Sequence, residues 1–272
     1  MQPLLVPNPD HQLNRASWDE LAAAHGQDAY YDSAGLVAGA SSLTAEEDAA
    51  LTAAGCVDFA GRRVLHVQAH IGFDAITFAR RGAQVTAVDF SPVALAKARS
   101  LADRCGVEVE WVCADAIDLP SSLDERFDLA WATMGVLCWI GDVGAWMRAV
   151  ARALAPGGRL VLIDGHPLRR VLKSDPVRVT RPYGGGIRIE TAEGSDYATT
   201  TRTGPHVEFL YSLGEIVSAA AAAGLRVTQL VEHTDVSCDI CDTGIRREDD
   251  GRYRRRVDGH VTPVLFTLIA QR

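Results

Sequence analysis

The stretch that decides the fold is residues 62–100, RRVLHVQAHIGFDAITFARRGAQVTAVDFSPVALAKARS. Val64-Leu65-His66-Val67 is a short apolar run ending at Gln68. That pattern suits a strand buried on both faces of a parallel sheet. A tight turn through Gly72 leads into a helix predicted over 73–81, with Ile71, Ala75, Phe78 and Ala79 at helical spacing, and Gly82 stops it. A second apolar strand, 85–88, ends in Asp89. Strand, turn, helix, strand and acid make the first half of a doubly wound nucleotide-binding sheet.

Ligands of such sheets sit outside the carboxyl ends of the strands, where Asp89 falls. A carboxylate there can accept hydrogen bonds from both hydroxyls of a ribose. The turn at 68–72 offers backbone N–H groups and a helix N-terminus to the polar tail of the same ligand. Helix capping is the alternative role for Asp89, but Ser91 already reads as N-cap with Pro92 at the first helical position. The dinucleotide fingerprint G-x-G-x-x-G is absent: Gln68 and His70 stand where its first two glycines would be. A ligand with an adenosine but no pyrophosphate fits better.

At this point the chain resembles the class I S-adenosylmethionine-dependent methyltransferases. More narrowly it is similar to a bacterial group whose first motif reads roughly His-Leu-Gln-Cys-His-Phe-Gly-x-Asp, followed by Gly-Ala-x-Val-Thr-Gly-Val-Asp-Phe-Ser. Here the residues are His66-Val67-Gln68-Ala69-His70-Ile71-Gly72-Phe73-Asp74, then Gly82-Ala83-Gln84-Val85-Thr86-Ala87-Val88-Asp89-Phe90-Ser91. The resemblance runs from Asn14 to Ala270. It implies a Rossmann-like, doubly wound α/β sheet of seven strands with an antiparallel last strand, S-adenosylmethionine as cofactor and S-adenosylhomocysteine as product. It also implies that Asp115 accepts from the adenine amino group; an ordinary turn aspartate is the alternative. The cofactor wall it outlines is Tyr31, Gln68, Ala69, His70, Gly72, Asp74, Asp89, Phe90, Ser91, Asp115, Ala116 and Thr133. It says little about the methyl acceptor.

Length and charge narrow the partners. The chain has 272 residues, enough for one α/β domain with insertions. A net charge of −8 argues against nucleic acid, which needs a basic footprint. Arg254-Arg255-Arg256 is flanked by Glu248, Asp249, Asp250 and Asp258 and reads as a solvated face. No run is long and apolar enough to span a bilayer, and no basic segment followed by an apolar core opens the chain. A cytoplasmic protein with reduced thiols is expected. Of six cysteines, only Cys238 and Cys241 form a C-x-x-C, which His233 and His260 could complete as a zinc site. A lone pair of this kind is a weak signal, and no metal is expected.

The rest of the chain supplies a lid and a cap. Residues 1–13, with Pro3, Pro7 and Pro9, read as a loose tail. Helices are predicted over 14–25 and 45–54, and residues 1–60 as an N-terminal helical lid ahead of a methyltransferase domain at 61–272. In the group it resembles, such helices cover the cofactor, and Asn14, Trp18, His25, Tyr31 and Gly39 match. Trp18 equally suits an apolar helix over the sheet edge. Tyr31 suits a pocket wall. A helix over 92–103 precedes strand three at 107–113, strand four at 127–132 and a helix over 143–154. Pro156-Gly157-Gly158 turns into strand five at 159–164. Between 167 and 206 the periodicity breaks down, as in an inserted substrate cap. Ser212-Leu213-Gly214-Glu215 is a capping box for a helix to Ala223. Strand six at 226–231, a charged loop and strand seven at 262–270 follow. With no helix between them, these two strands must pair antiparallel.

The expected function is methyl transfer to a small-molecule acceptor through an oxygen or nitrogen nucleophile. An NAD(P)-dependent oxidoreductase is the rival enzyme, and a non-catalytic nucleotide-binding protein the rival of another class. The leaving group of methyl transfer is neutral, so alignment and desolvation are the main tasks. A base is needed only for an acceptor that must lose a proton. His166 after strand five and His233 after strand six, with Asp235 to orient it, are the candidates; the alternative is that they are polar residues lining the cap. Gln68 and His70 are expected to contact the ligand or, failing that, the lid, while His66 points into the strand layer.

Overall fold

The computed structural model describes residues 8–26, 30–172, 178–195, 198, 202–240 and 244–272. Helices α1 (Pro9–Ala24), α2 (Ser33–Val37) and α3 (Ala45–Ala53) come first. The organising stretch folds as β1 (Arg63–Val67), α4 (Phe73–Arg80), β2 (Gln84–Asp89) and α5 (Pro92–Cys105). Next are β3 (Glu110–Cys113), β4 (Phe127–Thr133), α6 (Val143–Ala153), β5 (Leu154–Gly165) and α7 (Pro167–Val171). The next segment holds β6 (Ile187–Thr191), β7 (Gly194–Ser195) and β8 (Arg202–Thr203) and leads into β9 (His206–Leu210). Helix α8 (Leu213–Ala222) and β10 (Arg226–His233) follow. Short strands β11 (Asp235–Val236), β12 (Ile245–Arg247), β13 (Tyr253–Val257) and β14 (His260–Thr262) precede β15 (Leu265–Gln271).

Seven strands form one sheet in the order β10-β15-β5-β4-β1-β2-β3. β3, β2, β1, β4 and β5 run parallel, and β15 is antiparallel to both β5 and β10. The order reverses at β1, between β2 and β4, and the carboxyl edge there is the usual ligand crevice of such sheets. Apolar residues cover both faces. On one, Leu65, Val67, Ala130, Leu160 and Leu162 pack with Trp146, Met147 and Val150 of α6 and with Ile216 of α8. On the other, Val64, Val85, Leu129, Trp131 and Val161 pack with Phe78 of α4 and Leu51 of α3. Each such fully buried large side chain stabilises the fold by roughly 1.5–3 kcal/mol.

The fold departs from expectation in several places. Helix α1 starts at Pro9, not at 14, because the Asn8 side chain caps it by accepting from Asp10 N and Pro9 takes a first-turn position. Strand three is only Glu110–Cys113, since pairing with β2 begins at Thr86 opposite Glu110. The charged loop before β15 contains a four-stranded sheet of β11, β13, β12 and β14. Its alternation turns Arg255 inward, 1% exposed, so the arginine run is a strand with one face buried and not a solvated face. Strand six extends to His233, so that residue ends the strand instead of following it.

Candidate functional site

The turn after β1 keeps a glycine-type backbone with side chains on it. Gln68, His70 and Gly72 are all left-handed, with φ of 58°, 50° and 82°. For a residue with a Cβ that conformation costs about 1–2 kcal/mol, and hydrogen bonds here offset it. Gln68 donates its Nε2 to the carbonyl of Val136 at 3.1 Å and accepts the Trp146 indole N–H on Oε1 at 2.9 Å. Both ends of its carboxamide therefore brace the turn against the segment after β4 and against α6. Ala69 N donates to Val88 O at 2.9 Å. His70 donates its backbone N–H to Asp89 Oδ2 at 2.8 Å, and its ring nitrogen Nε2 lies 3.0 Å from His25 Nδ1. Gly72 has no room for a side chain: a Cβ would stand 2.5 Å from the Trp111 ring and 2.9 Å from Ala98 Cβ.

Two acids end the next two strands. Asp89 is 7% exposed and also accepts Ser91 N on Oδ1 at 2.9 Å. Burial, with Asp19 adding to it, pushes its carboxyl up to about 6 against the pull of the Ser91 and His70 N–H groups. Each of its oxygens has a second lone pair for a further donor. Phe90 follows, half-buried. Ser91 caps α5 by accepting from Ala94 N, and its hydroxyl donates to Asp19 of α1. After β3, Asp115 Oδ1 accepts Ile117 N at 3.1 Å, and Oδ2 is 2.5 Å from His11 Nδ1 of α1. Ala116 beside it is buried. At the end of β4, Thr133 donates to Asp74 Oδ2 at 2.9 Å. Asp74 also takes the Trp131 indole N–H at 2.9 Å and the Ser42 hydroxyl at 2.7 Å, so it anchors the strand end to α4 and to the segment ahead of α3.

Rings from distant segments close over this edge. Trp18 of α1 meets His70 at 5.2 Å and Trp139 at 5.3 Å between centroids, both edge to face. Tyr31 meets His25 at 4.9 Å and His70 at 5.2 Å. Trp139 also meets His206 of β9 at 5.6 Å. Sequence reasoning missed His206, whose signal was only its place at the border of the aperiodic segment. It missed His11 as well, which fell in the supposed tail.

The three expected acid–base residues are not brought together. His166 accepts Leu168 N on Nδ1, capping α7, and its Nε2 lies 2.8 Å from Glu232 Oε1. Burial holds its pKa below the ordinary value, with Glu232 pulling the other way. His233 Nε2 lies 2.7 Å from Thr267 Oγ1, and burial lowers its pKa too. Neighbouring residues of a strand point to opposite faces. Glu232 with His166 and His233 with Thr267 are thus divided by the sheet. Asp235 does not orient His233: its oxygens accept from Arg252 and Arg254 at 2.8 and 2.9 Å, which lowers its pKa. Among the described residues no cluster of three or more His, Cys, Asp or Glu could hold a metal; Cys238 is half-buried, and Cys241 lies outside the described residues. No helix among them is long and apolar enough to cross a membrane.

Comparison with known proteins bears on the family. Residues 64–158 match the family model described as a methyltransferase domain. A ubiquinone biosynthesis O-methyltransferase of Xanthomonas oryzae pv. oryzae is 39% identical over 106 residues, 39% of this chain and 44% of that protein. The methyltransferase GfsG of Streptomyces halstedii is 32% identical over 188 residues, 68% of this chain and 59% of that protein. The chain thus spans 44% to 59% of the length of these relatives. A solved S-adenosylmethionine-dependent methyltransferase from Mesorhizobium loti shares the fold, with a TM-score of 0.55 at 21% identity, covering 87% of this chain and 100% of that one. Residues 64–158 thus match a methyltransferase domain, and the sheet built around them has the fold of a solved S-adenosylmethionine-dependent methyltransferase.

Proposed function

We propose that this protein transfers a methyl group from S-adenosylmethionine to a small-molecule acceptor with an oxygen or nitrogen nucleophile. One observation carries the reading: three adjacent strand ends present a left-handed turn, a buried acid and a second acid, at 68–72, Asp89 and Asp115. That series of donors and acceptors fits an adenosine carrying a short polar tail. Asp89 takes the ribose hydroxyls and Asp115 the adenine amino group. The backbone of Gln68, Ala69, His70 and Gly72 takes the tail, and Tyr31, Phe90 and Ala116 wall it. Ser91, Asp74 and Thr133 support these positions from behind through the bonds described above. The Xanthomonas relative's name, an O-methyltransferase, favours oxygen among the acceptors.

The cofactor supplies a methyl group on a positively charged sulfur and departs neutral. The protein's part is to orient the acceptor and exclude water. We assign water exclusion to the rings of Trp18, Tyr31, Trp139 and His206, and the lid and cap roles to residues 1–60 and 167–206. Where the acceptor must lose a proton, His70 and His206 stand among these rings, whereas His166 and His233 stand at the ends of β5 and β10. A net charge of −8 favours a small acceptor over nucleic acid, and we place the enzyme in the cytoplasm.

Calorimetry with S-adenosylhomocysteine and NADH tests the cofactor, and incubation with S-adenosylmethionine and a panel of phenols, hydroxy acids and amines tests the reaction. The expected result is binding of the first ligand only, and a mass gain of one methyl group in a phenol or alcohol. Binding of NADH without S-adenosylhomocysteine would return the reading to an oxidoreductase. Binding of S-adenosylhomocysteine with no methylated product across the panel would favour a non-catalytic binder.

A further inference from the structure

His11 sits in the first turn of α1, 4% exposed, and spans two parts of the site. Its Nε2 lies 3.0 Å from the backbone nitrogen of Gly141, whose N–H donates to it. A ring nitrogen that accepts carries no proton, so the proton is on Nδ1 and is donated to Asp115 Oδ2. The backbone N–H therefore sets the tautomer, and the tautomer obliges Asp115 to act as acceptor towards the ring. Gly141 is shaped for this contact: a Cβ there would lie 3.4 Å from His11 Nε2 and 3.1 Å from Asn8 Nδ2. The same loop carries Trp139, which packs against Trp18 and His206.

We propose that His11 is a positioning residue that fixes Asp115 as a hydrogen-bond acceptor for the adenine 6-amino group and ties that acid to the loop bearing Trp139. This rests on the assignment of Asp115 to adenine. With one oxygen held by Ile117 N and the other by the ring, the carboxylate has a fixed orientation and offers only lone pairs to a ligand. A 6-amino group can donate to it. A 6-oxo group cannot, and it places one acceptor against another, so His11 sharpens the choice of adenine over hypoxanthine.

The two ring nitrogens can be separated by substitution. An Asn side-chain nitrogen reaches about as far as Nδ1 and keeps the donor to Asp115. A Gln side-chain oxygen reaches about as far as Nε2 and keeps the acceptor for Gly141. The probes are S-adenosylhomocysteine and its hypoxanthine analogue, S-inosylhomocysteine, titrated by calorimetry, with amide hydrogen exchange of the loop at 137–141 measured on the same variants. The parent should prefer the adenine ligand by about tenfold or more, as for a lost hydrogen bond to a charged group. Asp115→Asn should erase the preference. H11Q should reduce it severalfold with loop exchange unchanged, and H11N should retain it while loop exchange accelerates.

Preserved preference in H11Q, with Asp115→Asn erasing it, would overturn the role of His11 and leave the adenine assignment standing. An unchanged preference in Asp115→Asn would overturn both. Should H11Q fail to fold, H11N decides alone: slow loop exchange or a lost preference in that variant defeats the proposal.

Discussion

Asp89 Oδ2 accepts the backbone N–H of His70 at 2.8 Å, so the acid at the end of β2 also holds the middle of the left-handed turn after β1. Its other oxygen holds Ser91 N at 2.9 Å. An amide in place of the carboxylate would turn an N–H₂ group towards one of those donors. Asp89→Asn should therefore weaken S-adenosylhomocysteine binding by about tenfold or more, through a lost charge-assisted acceptor and a loosened turn together. Titration calorimetry on a folded variant checks this; unchanged affinity would remove Asp89 from the ribose.

The same residue gives binding a pH dependence. Burial pushes Asp89 up to about 6, and the proposed ribose contact needs its ionised form. Affinity should be constant well above pH 6 and fall below it, by at most about tenfold per unit for one proton taken up. Titrations between pH 5 and pH 8 read the slope. A flat profile, or affinity that rises on acidification, would contradict the assignment.

Glu47 makes stability pH-dependent with the opposite sense to a salt-bridged acid. Burial, and then the charge of Asp74, push its carboxyl up to about 8. Its folded value lies above its unfolded one, so its contribution is fully present below about pH 4.5 and is lost as pH rises through about 8. The slope is at most about 1.4 kcal/mol per pH unit. Glu47→Gln keeps an oxygen for the Thr44 N–H that closes the capping box and removes the titrating proton. The variant should be more stable than the parent at pH 8 and show a shallower melting-temperature profile between pH 5 and pH 8. Equal profiles would show that Glu47 does not titrate in this range.

Gly72→Ala should destabilise the fold by about 2 kcal/mol or more, since a left-handed residue gains a Cβ that overlaps a packed core. The Cβ would meet Trp111 at 2.5 Å and Ala98 at 2.9 Å. Denaturant melts measure the loss, and replacing Trp111 by Leu in the same chain should recover part of it. A variant as stable as the parent would mean that α5 and β3 yield freely at this point.

The periodic middle of the chain was legible because its elements are local. β1, α4 and β2 each show their own period within a few residues, and the acid at Asp89 falls out of strand length alone. The Asn8-Pro9 cap was present in the sequence but obscured by the neighbouring prolines, which suggested a tail. β13 could have been read from Tyr253, Arg255 and Val257 on one side, yet a run of like charges hides an alternation whose inward member is itself an arginine. The bonds that complete the site were not legible. His11 and Asp115 are 104 residues apart, and His11 and Gly141 are 130 apart. Nothing local in either partner announces the other. For the same reason His233 and Asp235 suggested a pair from their spacing, while Thr267 takes the one and two arginines take the other.

Asn14 grips the backbone of Val207 with both ends of its carboxamide, giving Nδ2–H to the carbonyl at 2.9 Å and taking the N–H on Oδ1 at 2.7 Å. The two residues are 193 positions apart. A helix in a protein gains most of its stability by docking an apolar face, and α1 is no exception. One side of its docking surface lies on α5, where Asp19 accepts the Ser91 hydroxyl, and another on β9, synthesised long after α1. During synthesis the first helix can therefore meet α5 early but must wait for its second anchor while the rest of the sheet assembles. Contacts of such separation close late, after the loop-closure entropy has been met by nearer pairings. Refolding experiments should find the central sheet protected from hydrogen exchange before the amides of α1, and a ribosome-bound fragment ending before 206 should carry a formed parallel core with its first helix only weakly protected.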